Sequence, residues 1–168
     1  MSLRAKLLDR SAHVGVIGLG YVGLPLAVTA AKAGFPVTGF DVDPTKMTRL
    51  DAGESYIEAV EDSDLAEVQG RFDWSTDFSG LAGCDVIVIC VPTPLTRQRE
   101  PDLSYIEQTA ETIAQHITKD TLVALESTTW PGTTEEVLGP ILAKSGLEPG
   151  KDIFLGFSPE REDPGNAT

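Results

Sequence analysis

Three glycines stand in the stretch Gly18-Leu-Gly20-Tyr-Val-Gly23, and Asp41 follows 18 residues after the last of them. That spacing suits a diphosphate flanked by sugars. Gly18 permits a tight turn, Gly20 lets a phosphate approach the backbone, and Gly23 lets a helix pack closely on a strand. The N–H groups at the start of such a helix offer donors and a partial positive charge to an anion. A carboxylate at Asp41 can accept hydrogen bonds from ribose hydroxyls and would repel a 2′-phosphate, so NAD is favoured over NADP. Lys46 works against that choice, because a nearby cation tolerates a phosphate. Alone, the glycine pattern is a common turn, and Asp41 can be a turn residue ahead of Asp43-Pro44.

The flanking elements decide between these readings. An apolar strand, Val14 to Ile17, precedes the glycines, and a helix fits Tyr21 to Ala33 with Gly34 as its stop. Pro25 then lies just past the first turn and loses one backbone bond. Pro36 to Phe40 reads as the second strand, Pro44 to about Asp51 as a short helix, and 53–70 as one or two more. Phe72 to Ser75 and the apolar run Asp85 to Val91 read as strands, the latter buried on both faces of a parallel sheet. Ser104-x-x-Glu107 reads as a capping box ahead of a helix whose inner face is Ile106, Ala110, Ile113, Ala114 and Ile117. Thr121 to Glu126 is a fifth strand. Thr133-x-x-Glu136 opens a helix with Val137, Ile141 and Leu142 inside, which Pro140 should kink or break. Ile153 to Phe157 is a sixth strand. This alternation predicts an α/β fold, a Rossmann-type doubly wound parallel sheet with helices on both faces and ligand at the carboxyl ends of the strands.

Three polar, turn-rich loops should meet there: Cys90 to Pro94, Glu126 to Gly132 and Ser158 to Asp163. Glu160 is the best placed acid or base, against the alternative of a solvated charge or a partner for Arg161. Ser127, Thr128 and Thr129 can bond a cofactor or cap a local turn, and Trp130 reads more readily as an aromatic plug than as a stacking platform. Cys84 and Cys90 read as small buried residues rather than nucleophiles. His13 lies far from the ligand edge, and His116 suits a helix C-terminus.

The 168 residues, 41% of them hydrophobic, suit one domain, with 1–12 as an N-terminal extension and 13–168 as the dinucleotide-binding unit. The net charge of −13 disfavours nucleic acid as a partner. No apolar run approaches a membrane span, there is no signal-peptide core, and the cysteines fit no metal spacing; a cytoplasmic chain without metal is expected.

Five stretches carry a resemblance to a known family: Val16 to Ala27 (Val-Ile-Gly-Leu-Gly-Tyr-Val-Gly-Leu-Pro-Leu-Ala), Val91-Pro-Thr-Pro-Leu95, Pro101-Asp-Leu-Ser-Tyr-Ile106, Glu126 to Thr134 (Glu-Ser-Thr-Thr-Trp-Pro-Gly-Thr-Thr) and Phe157 to Asn166 (Phe-Ser-Pro-Glu-Arg-Glu-Asp-Pro-Gly-Asn). Together they resemble the UDP-glucose/GDP-mannose dehydrogenase family from about His13 onward. The Ser-Thr-Thr and Ser-Pro-Glu-Arg forms are more similar to the branch acting on UDP-N-acetylglucosamine than to the UDP-glucose branch. The resemblance implies oxidation of a sugar C6 hydroxyl to a carboxylate in two NAD-dependent steps. It implies that Gly18, Gly20, Tyr21, Val22 and Gly23 cradle the pyrophosphate, that Asp41 and Lys46 meet the adenosine end, and that Val91, Thr93, Ser127 and Thr128 line the cofactor. It further implies that Glu160 manages the water that hydrolyses a thioester, with Thr128 positioning it, and that Glu160, Arg161, Glu162 and Asp163 touch the substrate. Where the glucose branch has a second glutamate against NAD, this chain has Pro164. The family's dimerisation helix, catalytic cysteine and lysine, and UDP-binding domain would follow Thr168. The expectation is therefore an NAD-binding fragment without turnover of its own, from a parent enzyme that is a homodimer acting on a UDP-sugar. The competing readings are a free-standing NAD-sensing module and another Rossmann dehydrogenase, such as a β-hydroxyacid type.

Overall fold

The computed structural model describes residues 1–95 and 101–159. Six parallel strands form one sheet: β1 (Val14–Ile17), β2 (Val37–Phe40), β3 (Phe72–Ser75), β4 (Val86–Ile89), β5 (Leu122–Leu125) and β6 (Phe154–Phe157). Their order is β3-β2-β1-β4-β5-β6, the doubly wound arrangement in which the chain reverses direction of growth beside β1. β1 pairs with β2 and β4 in aligned register, Val14 opposite both Val37 and Val86.

Alternation along the strands divides the core into two layers. Val86 and Val88 of β4 join Val14, Val16 and the helix α2 (Gly23–Lys32) on one face. Ile87 and Ile89 point to the other face, against Ile106, Ala110 and Ile113 of helix α5 (Ser104–His116). Gly15 in β1 leaves room for a neighbour: a Cβ there would lie 2.8 Å from the Cys84 sulfur. On the β1 side the sheet is also covered near Leu50 and Leu65, from helices α3 (Pro44–Asp51) and α4 (Asp62–Glu67).

Several boundaries differ from the sequence reading, each for a local reason. Helix α2 begins at Gly23, not Tyr21, with Val22 as its flanking residue. Pro25 is thus the third helical residue, and the one bond it forgoes lies between those of the Leu24 N–H to Gly20 and the Leu26 N–H to Val22, as expected. Ser104 is the first residue of α5 rather than its cap; the Asp102 carboxylate, a stronger acceptor than a hydroxyl, takes the Ser104 N–H at 2.9 Å. Thr133 is not a cap either, since its backbone is helical and its hydroxyl donates to the Trp130 carbonyl at 2.9 Å. Pro140 is absorbed without a break. A wide π turn over Thr134–Leu138, closed by the Gly139 N–H on the Thr134 carbonyl, gives the proline ring room before α6 (Gly139–Leu142). Leu138, absent from the expected inner face, is fully buried beside Leu142. Trp130 is no plug: 42% of it is exposed.

Residues 1–12 carry a helix, α1 (Leu3–Asp9), capped by the Ser2 side chain. Its Lys6 Nζ donates to Asp85 Oδ1 at 2.6 Å, and the His13 N–H donates to Asp85 Oδ2 at 3.0 Å. Burial pushes the Asp85 carboxyl up, but these bonds outweigh it and hold the group below the usual 3.8. The folded value lies below the unfolded one, so the stabilisation is complete above the unfolded value and is lost as pH falls through the folded one. Asp85→Asn should therefore lower stability at pH 7 by about 1 kcal/mol, and the gap to the parent chain should close as pH falls below the unfolded value of 3.8 and through the lower folded one, where the aspartate itself becomes protonated. Urea unfolding at pH 7 and along that descent measures both.

Candidate functional site

The turn from β1 to α2 is built by crowding. Gly18 has φ +91°, and a Cβ on it would lie 2.7 Å from the Cys90 carbonyl oxygen. A Cβ on Gly23 would collide with the Gly18 carbonyl. Only glycine lets strand and helix approach this closely. Gly20 differs: nothing lies within 4 Å of where its Cβ would be. It faces open space, as a residue does when a ligand is to come near its backbone.

The backbone donors of this turn are unevenly used. The Gly18 N–H bonds the Phe40 carbonyl at 2.8 Å, the Leu19 N–H bonds Asp41 Oδ2 at 2.8 Å, and the Leu24 N–H bonds the Gly20 carbonyl at 3.1 Å. Between them, the N–H groups of Gly20, Tyr21 and Val22 have no hydrogen-bond acceptor among the described residues. All three residues line a cleft of about 900 Å³ that opens at the carboxyl ends of β1, β2, β4 and β5. Ligand pockets typically span ~300–1,000 Å³.

Asp41, just past β2, is 6% exposed. Its Oδ2 accepts from Leu19 and from Lys46 Nζ, and its Oδ1 accepts from the Asp43 N–H at 3.0 Å. A carboxylate oxygen can accept about two bonds, so Oδ1 keeps capacity for one hydroxyl. The ion pair with Lys46 neutralises that cation in place.

The opposite wall comes from the β4 and β5 loops. Ser127, buried, donates its hydroxyl to the Val91 carbonyl at 2.7 Å, and Thr93 donates its own to the Thr128 carbonyl at 2.8 Å. These two bonds stitch the loops together and bring Val91, Thr93, Ser127 and Thr128 into the cleft beside Gly18, Gly20, Tyr21, Val22, Asp41 and Lys46. Gly23 stands behind the wall as a packing residue. Glu160, Arg161, Glu162 and Asp163 lie outside the described residues.

Cys84 is not set up as a nucleophile. Burial, with Asp85 adding to it, pushes the Cys84 thiol up to about 12. Cys90 is half-buried in the cleft wall at the end of β4. His13 is engaged elsewhere, its Nε2 2.8 Å from the Thr38 hydroxyl.

The sequence reading missed one wall. Tyr105, Gln108, Thr109 and Thr112 of α5 face the cleft, as do Val42 and Phe78. The signal was present in the helical spacing of 105, 108, 109 and 112, which puts a second, polar stripe on a helix whose apolar stripe faces the sheet.

Residues 12–168 match the NAD binding domain of the UDP-glucose/GDP-mannose dehydrogenase family. The chain is 40% identical over 160 residues to UDP-N-acetyl-D-glucosamine 6-dehydrogenase of Pseudomonas aeruginosa, covering 94% of this chain and 37% of that protein. It is likewise 40% identical over 155 residues to Protein CapL of Staphylococcus aureus, covering 92% of this chain and 36% of that protein. Among solved structures, UDP-D-ManNAc dehydrogenase of Pyrococcus horikoshii superposes with a TM-score of 0.85 at 38% identity, over 91% of this chain and 37% of that one. The chain thus spans little more than a third of the length of these relatives. Its doubly wound sheet and glycine turn are the architecture of an NAD site, and the chain belongs to the UDP-glucose/GDP-mannose dehydrogenase family, as its NAD-binding domain.

Proposed function

We propose that the cleft between β1 and β4 holds NAD for a dehydrogenase that oxidises the C6 hydroxyl of a UDP-N-acetylhexosamine to a carboxylate in two steps. The carrying observation is the row of three N–H groups on Gly20, Tyr21 and Val22 that find no acceptor among the described residues. They stand at the N-terminus of α2, where the helix dipole adds to their attraction for a pyrophosphate. The open space over Gly20 supplies the approach.

Asp41 takes the adenosine ribose with the remaining capacity of Oδ1. Lys46 acts through Asp41: held in the ion pair, it balances the carboxylate rather than offering itself to a 2′-phosphate. The α5 stripe and Val42 flank the adenosine end, and Val91, Thr93, Ser127 and Thr128 line the nicotinamide end. When bound, NAD supplies a hydride acceptor. Thr128, exposed at the β5 edge, helps place the water that ends the second oxidation, with Glu160 handling its proton. The preference for an N-acetylhexosamine rests on the relatives, whose names include UDP-N-acetyl-D-glucosamine and UDP-D-ManNAc dehydrogenases. Turnover of the full-length parent against UDP-N-acetylglucosamine, UDP-N-acetylmannosamine and UDP-glucose tests it; activity on none of them would reject the reading.

Two substitutions test the cofactor site in the chain itself. Asp41→Ala should weaken NAD binding about tenfold and narrow the preference for NAD over NADP. Calorimetric titration with both dinucleotides reads this, and an unchanged preference contradicts the role of Asp41. Gly20→Ala should leave unfolding stability within about 1 kcal/mol of the parent, because its methyl meets nothing. The same methyl stands where the pyrophosphate belongs, so NAD affinity should fall at least tenfold, about 1.4 kcal/mol. Retained affinity would place the phosphates elsewhere.

A further inference from the structure

Residues 52–61, between α3 and α4, fall in a stretch read from sequence as one or two helices; they form none, and they reach the phosphate turn. The Tyr56 hydroxyl donates to the Leu19 carbonyl at 2.9 Å, across 37 positions of sequence. Leu19 is thereby held three ways. Its N–H is taken by Asp41, its carbonyl by Tyr56, and its fully buried side chain sits over Gly39, where a Cβ would lie 2.7 Å from a Leu19 methyl.

The consequence falls on the next residue. Leu19 C=O and Gly20 N–H belong to one peptide plane, and in a trans peptide the two point to opposite sides; no cis bond occurs among the described residues. Drawing the carbonyl toward Tyr56 therefore turns the Gly20 N–H the other way. Gly20 itself lines the cleft, and its N–H has no acceptor among the described residues. A glycine tolerates either orientation of the peptide before it, so the turn needs an external catch to keep that donor aimed.

We propose that Tyr56 is that catch: its hydroxyl, by holding the Leu19 carbonyl, aims the Gly20 N–H at the pyrophosphate of the bound dinucleotide. The inference rests on the reading that the cleft takes NAD. Tyr56 does not line the cleft, so it acts through the backbone as a positioning residue. The Arg49 guanidinium lies 5.8 Å from the centre of its ring and donates to the Ser55 carbonyl, fixing the loop that carries it. Burial, with the Asp41 and Asp43 carboxylates adding to it, pushes the phenol up, which keeps it protonated and a donor.

The test titrates the 168-residue chain and its Tyr56→Phe variant with NAD, ADP-ribose and adenosine. The variant is expected to bind NAD and ADP-ribose about tenfold more weakly, and adenosine, which lacks the pyrophosphate, as the parent does. Equal losses on all three ligands would make Tyr56 a general support and overturn the proposal, as would no loss on any. A parent chain that binds neither NAD nor ADP-ribose overturns the cofactor reading, and this inference with it. If the variant fails to fold, the unsubstituted chain decides: inorganic pyrophosphate should shift the Gly20 amide resonance, and an amide that does not move rejects the idea.

Discussion

A strand in the middle of a parallel sheet runs out of neighbours at its carboxyl end, and the backbone groups that follow must find other partners. In this chain that constraint falls on the turn after β1. The Gly18 N–H still reaches β2, and the Leu19 N–H is captured by Asp41. The first bond that leads into α2 is made by the Leu24 N–H. The crowding of Gly23 against Gly18 leaves no room for a longer, self-satisfying connection. The Gly20, Tyr21 and Val22 donors therefore remain on a cleft wall rather than in the core, where leaving them unpaired would cost about 1–3 kcal/mol each. Fold and ligand site are consequences of the same close approach of strand and helix.

The charge of the whole chain does not oppose this. The net charge is −13, and an anion must still be drawn to the turn. Exposed charges more than about 8 Å away are largely screened at physiological salt, so the local groups decide. The nearest carboxylate, Asp41, is already paired with Lys46 and accepts two backbone N–H bonds. In the site proposed above, a pyrophosphate would meet a neutralised acid, a helix N-terminus and amides with no acceptor among the described residues. On that proposal the same ion pair keeps Lys46 from inviting a second phosphate.

Where physics admits only one residue type, the sequence was legible. The glycines at 18 and 23, the continuous apolar run of β4 and the acid 18 residues after the glycines all led to correct elements in the expected order. Boundaries were less legible because hydrogen-bond competition sets them. Asp102 displaced Ser104 as the acceptor for α5 because a carboxylate two residues ahead outcompetes a hydroxyl. Pro140 did not break its helix because a π turn one step earlier had widened the backbone. A pattern of types carries no record of such compensation.

The site divides in the same way. Asp41 could be found because its distance from the glycines reflects one strand-helix-strand unit of ordinary length. Tyr56 could not. Its bond to Leu19 spans a further helix, α3, and ends in an irregular loop, and a tyrosine between Ser55 and Ile57 has many possible fates. Yet the two residues perform complementary parts of one task, each fixing one backbone group of Leu19. Asp41 fixes the peptide before Leu19 and Tyr56 the peptide after it, so the direction of the Gly20 amide is set by a residue close along the fold and by one that only tertiary structure brings near. A substitution in the 52–61 loop can thus alter a phosphate site that it never touches.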